Sequence, residues 1–216
     1  MDTRHVEEIG RALGVRLAKY RAEHPIVLGL TPGGVPIAQA IAQWLGGGFD
    51  IVQAESLVSG GYRGAVAETG EIVLDSGSAD DGAEQEFAGR IVQCLSYMLA
   101  QRVQFLPGCA LPEVLGRVVI VVADVVSSGA RMRAALTSLR DRGAVRLVAV
   151  AMAGTDRAVE LLQPLADEVV CLMTHPRISG VGRNLRGWKR IPRNAAFRLL
   201  RRETGRKGPR RAAVTH

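Results

Sequence analysis

An unbroken run of β-branched residues near the middle of the chain constrains the fold more than any other feature. Residues 118–122 read Val-Val-Ile-Val-Val, which is typical of a strand buried on both faces. A helical pattern at about 130–141 follows, and a second apolar run, Leu147 to Met152, comes next. Strand, helix and strand in this order predict a parallel sheet with right-handed crossovers.

The same alternation continues through most of the chain. Further short apolar runs predict strands at 26–30, 50–54 and 168–173. Periodic apolar positions predict helices at 3–22, 36–45, 84–104 and 155–165, the second of them beginning at Pro36. We therefore expect an α/β fold in which a five-stranded parallel sheet carries helices on both faces.

The least regular part of the sequence is residues 55–86. Residues 58–64 are rich in glycine and predict a mobile loop. Short apolar stretches at about 64–68 and 71–74 flank Thr69-Gly70 and predict a hairpin. We expect this part of the chain to form a small hood beside the main sheet.

Charge divides the chain into two parts. Residues 1–176 carry 15 Lys and Arg against 20 Asp and Glu, whereas residues 177–216 carry 13 against one. We predict one folded domain over 1–190 and a basic tail over 191–216. The tail is either a solvated, partly disordered end or a surface for nucleic acid or another polyanion.

Cysteine usage and hydropathy indicate the setting. Cys94, Cys109 and Cys171 are odd in number and far apart, which argues against a disulfide scaffold or a zinc cluster. No apolar run approaches about 18 residues, so we expect no transmembrane helix and no membrane partner. The polar first ten residues do not resemble a signal or transit peptide, and we expect a cytoplasmic protein.

Two loops of small residues follow buried strands, at the position where open α/β sheets bind ligands. One is residues 31–34, Thr-Pro-Gly-Gly, and the other is residues 125–130. Backbone N–H groups of the second loop and the dipole of the helix behind it would favour a phosphate monoester. The alternative is a plain turn with a serine N-cap.

Asp124 immediately precedes the second loop. A carboxylate does not bind phosphate, so this position predicts hydrogen bonds from sugar hydroxyls or the orientation of a water bound to Mg²⁺. A phosphate cradle beside a carboxylate suggests a phosphorylated sugar as ligand. The chain has neither the P-loop motif nor the dinucleotide-binding glycine motif.

Residues Val118–Met132 resemble the phosphoribosyl pyrophosphate (PRPP) motif of type I phosphoribosyltransferases, which is an apolar strand, two acids and a small-residue loop. Leu28–Ala38 is similar to the Gly-Gly-Val-Pro segment of a bacterial branch of that family. Ala65–Gly70 and Ala166–Cys171 resemble further segments of the branch in the same order. The resemblance covers roughly residues 3–190 and implies the fold of that family.

The resemblance also implies roles for individual residues. Asp124 would be the catalytic residue, a carboxylate near the ribose hydroxyls, and a flexible loop containing Tyr62 and Arg63 would close over the site. Mg²⁺ would be bound with PRPP rather than by direct side-chain ligation, and a homodimer is expected. The 5′-phosphate of PRPP would lie against Val126, Ser127, Ser128, Gly129, Ala130 and Arg131. Pyrophosphate would contact Thr31, Pro32, Gly33 and Gly34.

Several charged positions of the family pattern are changed in this chain. The first acid of the pair is Ala123, and the arginine before the Gly-Gly pair is Pro32. An Arg-Lys pair after the second strand is replaced by Glu55-Ser56, whereas Arg131 adds a cation where the family has threonine. The pyrophosphate site has therefore lost cations, for which Arg63 and the C-terminal arginines are candidate substitutes.

These observations leave three functions open. The first is transfer of a phosphoribosyl group, or a related phosphorylated sugar, from PRPP to an unidentified small acceptor with release of pyrophosphate. The second is a non-catalytic regulatory protein that binds a phosphoribosyl compound or a nucleotide. The third, which is compatible with either, is nucleic-acid binding through the basic tail.

Overall fold

The computed structural model of the chain describes residues 3–76, 83–106, 110–177, 179 and 191–207. The helices are α1 (Thr3–Arg16), α2 (Gly34–Leu45), α3 (Ala83–Phe105), α4 (Ala130–Asp141), α5 (Asp156–Leu162) and α6 (Arg193–Lys207), and a 3₁₀ helix spans Ala18–Glu23. The strands are β1 (Ile26–Leu30), β2 (Gly48–Val52), β3 (Ala54–Ser59), β4 (Tyr62–Ala67), β5 (Ile72–Ser76), β6 (Val118–Val126), β7 (Arg146–Thr155) and β8 (Glu168–His175).

The main sheet has five parallel strands in the order β2-β1-β6-β7-β8. Helices α1 and α2 cover one face, where Leu13 and Ile37 pack against Ile120. Helices α4 and α5 cover the other, where Leu136 packs in one cluster with Val121. This confirms the predicted five-stranded parallel sheet with helices on both faces.

A second, antiparallel sheet has the order β3-β4-β5 and replaces the predicted loop at residues 58–64. That prediction was wrong because Gly60 and Gly61 form the two-residue turn of a hairpin, with φ of +54° and +81°. Positive φ at both central residues is what a type I′ hairpin turn requires. The small sheet lies between α3, whose Met98 meets Leu57, and α4, whose Ala134 meets Ala65.

Several element boundaries differ from the sequence predictions, and the differences in β6, α2 and α1 have clear physical reasons. Strand β6 continues to Val126 because β7, which runs to Thr155, pairs with it as far as Gly154. Helix α2 begins at Gly34, which places Pro36 inside the first turn, where its missing N–H has no helical partner to lose. Helix α1 ends at Arg16, and the chain tightens into the 3₁₀ helix.

Helix α6 lies in the segment predicted as a basic tail and packs onto the folded body. Phe197 is fully buried and stacks on Phe105 with ring centroids 5.3 Å apart. Val35 at the start of α2 and Ile51 of β2 belong to the same apolar cluster. Residues 208–216 fall outside the described part of the chain, and the division at residue 190 stays a prediction.

We expect Phe197→Ala to lower the free energy of unfolding by about 3–5 kcal/mol, because it leaves a cavity where α6 meets the sheet edge. The exposed Val92→Ala on α3 is the control and should change stability by less than about 0.5 kcal/mol. Urea denaturation followed by circular dichroism measures both. Equal midpoints for the two variants would show that α6 adds nothing to the core.

Burial of Asp50 in β2 makes the stability of the protein depend on pH. Burial raises the pKa of its carboxyl to about 6, although its Oδ1 accepts a hydrogen bond from the Ile51 N–H. A raised pKa means that the folded state holds the proton more tightly than the unfolded chain does. Stability therefore falls as the pH rises from about 4 to about 6.

Asp50→Asn should remove this loss and stabilise the protein at pH 7.5 by about 1–3 kcal/mol, because the amide carries no charge to desolvate. The measurement is the difference in unfolding free energy between wild type and variant at pH 4 and at pH 7.5. A difference that does not change with pH would contradict the assignment.

Candidate functional site

The strand order reverses between β1 and β6. From β1 the chain proceeds to β2 at one edge, whereas from β6 it proceeds to β7 and β8 at the other edge. The carboxyl ends of two such strands leave a crevice, since their following loops turn to opposite faces. A cavity of about 320 Å³ lies there, lined by Leu30, Ser56 and the continuous stretch 125–132.

The loop between β6 and α4 forms one wall of this cavity. Gly129 precedes α4 with a φ of +84°, which glycine adopts without strain. Ser127 and Ser128 are exposed, and the Ala130 N–H donates to Ser128 Oγ at 3.3 Å. The positive end of the α4 dipole therefore adjoins a cavity bordered by two hydroxyls, an arrangement suited to an anion.

Thr155 holds this loop in place from the neighbouring strand. Its Oγ1 donates to the Ser127 carbonyl at 2.7 Å and accepts from the Ala158 N–H at 3.1 Å, which caps α5. Sequence reasoning did not assign a role to Thr155. A threonine directly before an acidic first turn is a recognisable N-cap signal. The bond from Thr155 Oγ1 to the Ser127 carbonyl could not be predicted in this way, because it depends on the pairing of β7 with β6.

Asp124 lies in β6 and is 3% exposed. It shares the sheet face of Val122, two residues earlier, which packs against α2. A Cβ added to Gly33 would come within 2.1 Å of Asp124 Oδ2, so the carboxylate lies directly beneath the 31–34 loop rather than on the cavity wall. Ala123 shares the opposite face, in the cluster with α4.

The loop at residues 31–34, whose Thr31–Pro32 peptide is cis, is held tightly against the sheet. Thr31 is 1% exposed, and its N–H donates to the Val52 carbonyl at 3.2 Å. A Cβ at Gly34 would come within 1.8 Å of the Val122 carbonyl oxygen, so only glycine fits. The start of α2 therefore lies directly on the backbone of β6.

Two guanidinium groups reach Thr31 from different helices. Arg131 Nη1 donates to the Thr31 carbonyl at 3.2 Å, and Arg193 Nη1 donates to Thr31 Oγ1 at 3.4 Å. Arg193 also forms an ion pair with Glu55 and lies over the ring of Tyr97, 5.4 Å from its centroid. Sequence reasoning named the C-terminal arginines only as a group, and the tertiary structure selects Arg193.

A buried ion pair supports the small sheet beside the site. Arg102 of α3 donates to both carboxylate oxygens of Glu68, from Nε at 2.9 Å and from Nη2 at 3.0 Å. Gln53 donates to the same carboxylate through its backbone N–H and its Nε2, and its Nε2 also reaches the Met98 carbonyl. This network joins α3 to the link between β2 and β3.

Tyr62 and Arg63 belong to β4. Tyr62 packs against Phe87 of α3, with ring centroids 4.7 Å apart, and Arg63 is exposed. Their predicted role in closing over the site stays a prediction. The structure brings together the 31–34 loop, Asp124 and Arg131, and it adds Arg193 and Thr155 to them.

Within the described ranges, no group of three or more His, Cys, Asp or Glu side chains could hold a metal ion. In the same part of the chain, no helix is long and apolar enough to cross a membrane. Burial raises the pKa of the Cys94 and Cys171 thiols, which disfavours the reactive thiolate.

In a comparison with known proteins, residues 3–179 match the family model described as "Phosphoribosyl transferase domain". Two Mycobacterium tuberculosis proteins, from strains CDC 1551 and H37Rv, are each named "putative phosphoribosyl transferase" and are 31% identical over 189 residues. That alignment covers 84% of this chain but 42% of each relative, so the chain spans less than half the length of these curated proteins.

The crystal structure of a Thermus thermophilus protein, TT1426, is similar to the fold described above. The two share 30% sequence identity with a TM-score of 0.66, over 79% of this chain and 83% of that one.

We expect Gly33→Ala to lower the free energy of unfolding by about 1–3 kcal/mol, because its methyl group would displace Asp124 and the 31–34 loop. Gly33 has an ordinary helical φ of −74°, so the loss would come from contact and not from backbone strain. Gly89→Ala, which faces open space in α3, should instead stabilise by up to about 1 kcal/mol. Urea denaturation compares the two, and a neutral Gly33→Ala would contradict the close contact.

Proposed function

Because the chain belongs to the phosphoribosyl transferase domain family, we propose that it transfers a phosphoribosyl group from PRPP to a small acceptor. The bond between ribose C1 and a pyrophosphate oxygen breaks, a bond from the acceptor to C1 forms, and pyrophosphate leaves with the electron pair. The observation that carries this proposal is the cavity at the strand-order reversal, beside the start of α4.

In this proposal the 5′-phosphate of PRPP lies against the 127–131 segment. The exposed hydroxyls of Ser127 and Ser128 and the N-terminal end of α4 support that placement. Thr155 keeps the loop in position before the ligand arrives, which lowers the cost of ordering the site on binding. The ribose and the leaving group would then extend toward Leu30 and Ser56.

We propose that Asp124 acts by positioning the 31–34 loop, since its side chain is buried beneath that loop and does not line the cavity. Its contact with Gly33 supports a positioning role, since a carboxylate at the start of α2 is stabilised by the helix dipole. Its Oδ1 accepts from the Val125 N–H at 2.8 Å, which fixes the orientation of the carboxylate.

Mg²⁺ fits the site as a cation carried by the donor's own phosphates. Mg²⁺ keeps several waters and binds largely through substrate phosphates. When bound, the ion would neutralise charge on the leaving pyrophosphate. No side chain is required to ligate it directly.

The setting and partners of the protein stay predictions. A homodimer, a cytoplasmic location and the identity of the acceptor belong to this proposal. Nucleic-acid contacts would use exposed arginines of α6 such as Arg198, Arg201 and Arg202.

The test combines PRPP binding by isothermal titration calorimetry with Mg²⁺-dependent pyrophosphate release on a panel of bases and amines. Ser128→Asp adds an anion to the phosphate cradle and should weaken PRPP binding about tenfold or more. Thr137→Asp adds the same charge to α4 about two turns farther on and should leave binding within about twofold.

The outcomes separate the alternatives. Absence of PRPP binding would overturn the proposal, as would equal effects of the two aspartate variants. Tight binding of PRPP without release of pyrophosphate in the presence of any acceptor would contradict the transferase and favour the non-catalytic regulatory protein.

A further inference from the structure

The loop at residues 31–34 cannot by itself neutralise a pyrophosphate. It contains no cationic side chain, Pro32 has no N–H, and the Thr31 N–H is already donated to Val52. Two cations nevertheless converge on it, because both oxygen atoms of Thr31 accept bonds from guanidinium groups. One comes from Arg131 at the start of α4, and the other from Arg193 at the start of α6.

We infer that Arg193 and Arg131 together form the subsite for the pyrophosphate of the donor, and that Glu55 occupies Arg193 until the pyrophosphate displaces it. This inference rests on the proposed function and assigns a binding role to a residue outside every motif of the sequence. The anion recognised is a diphosphate carried by a sugar phosphate, held at two separate points.

The position of Arg193 is not explained by the stability of its own helix. A cation in the first turn of a helix opposes the macrodipole, so helix stability alone favours another residue there. The surrounding contacts nevertheless hold the side chain inward. Its side chain is 18% exposed, stacked on Tyr97 and paired with Glu55.

The position of the Arg193 backbone is fixed by the packing of α6 against the core. Phe197, one turn later in α6, is fully buried in a cluster with Val35, which follows the 31–34 loop, and Ile51. The Ala195 and Ala196 N–H groups donate to the Pro192 carbonyl, so the first turn of α6 is formed at this point. Movement of Arg193 is thereby limited to its side chain.

Glu55 is suited to act as a temporary partner. Its side chain is 21% exposed, and the next residue, Ser56, lines the cavity of about 320 Å³. Glu55 is therefore the sequence neighbour of a residue in the cavity wall, and Arg193 is its ion-pair partner. A pyrophosphate carries more negative charge than one carboxylate and presents several oxygens to a guanidinium fork, so it competes effectively for Arg193.

A consequence is discrimination between ligands that share the sugar phosphate. PRPP would engage the 127–131 cradle and also Arg193, whereas ribose 5-phosphate would engage the cradle without Arg193. Removal of Arg193 should therefore weaken the binding of PRPP and leave the binding of ribose 5-phosphate unchanged. A purely structural role for Arg193 would affect both ligands to the same degree.

The experiment measures the affinities of PRPP, ribose 5-phosphate and inorganic pyrophosphate for the full chain by isothermal titration calorimetry. Arg193→Gln should weaken PRPP and pyrophosphate binding about tenfold or more and leave ribose 5-phosphate within about twofold. Glu55→Gln should strengthen PRPP and pyrophosphate binding several-fold, because the competing carboxylate is removed. The control is Arg198→Gln, an exposed arginine on the same helix, which should change none of the three.

Failure of this inference can be told from failure of the proposed function. Suppose that the wild-type protein releases pyrophosphate from PRPP. If Arg193→Gln then binds PRPP with normal affinity, or if it loses affinity for all three ligands equally, the inference is wrong and the proposed function stands. If pyrophosphate binds through Arg193 but no acceptor supports its release, the subsite stands and the transferase does not. Absence of binding by all three ligands would overturn both.

Discussion

Strands β1 and β6 pair in parallel at the centre of the main sheet, although the small sheet and α3 separate them in the chain. Because connections leave this pair toward opposite edges, the loops that follow the two strands lie side by side with a crevice between them. The 31–34 loop and the 127–129 loop are therefore neighbours. Close contact of Gly34 with the β6 backbone fixes one loop, and the Thr155 bond to Ser127 fixes the other.

Electrostatics of the site depend on chain segments that are distant in sequence. The local motifs carry Pro32 and Glu55 where cations would be expected, and Arg193 of α6 neutralises Glu55 while it also reaches Thr31. Within the part of α6 whose side chains the structure describes, Arg193 contacts Thr31 and Glu55, whereas Arg198 and Arg202 are exposed. A count of charges along the chain cannot separate these two roles, because the separation depends on which face of α6 the core buries.

Sequence patterns predicted α4 at 130–141 to the residue and all five strands of the main sheet within a few residues. They failed at 58–64, where richness in glycine suggested a loop but the structure has a hairpin. The pair Gly60-Gly61 between two short apolar stretches is also a hairpin signal. They also ended β6 too early, because Asp124 and the serines look like loop residues. Pairing with β7 satisfies the backbone there and carries the strand on to Val126.

The chain's own sequence determined the alternation of strands and helices, the glycine-bearing loops after β1 and β6, and the loss of charge at Ala123 and Pro32. These features follow from local periodicity and local composition, which neighbouring residues encode. The tertiary structure alone decided that Asp124 lies beneath Gly33 and that Arg193 meets Glu55 at Thr31. Such contacts depend on strand order and on the packing of Phe197, which bring together residues from distant parts of the chain.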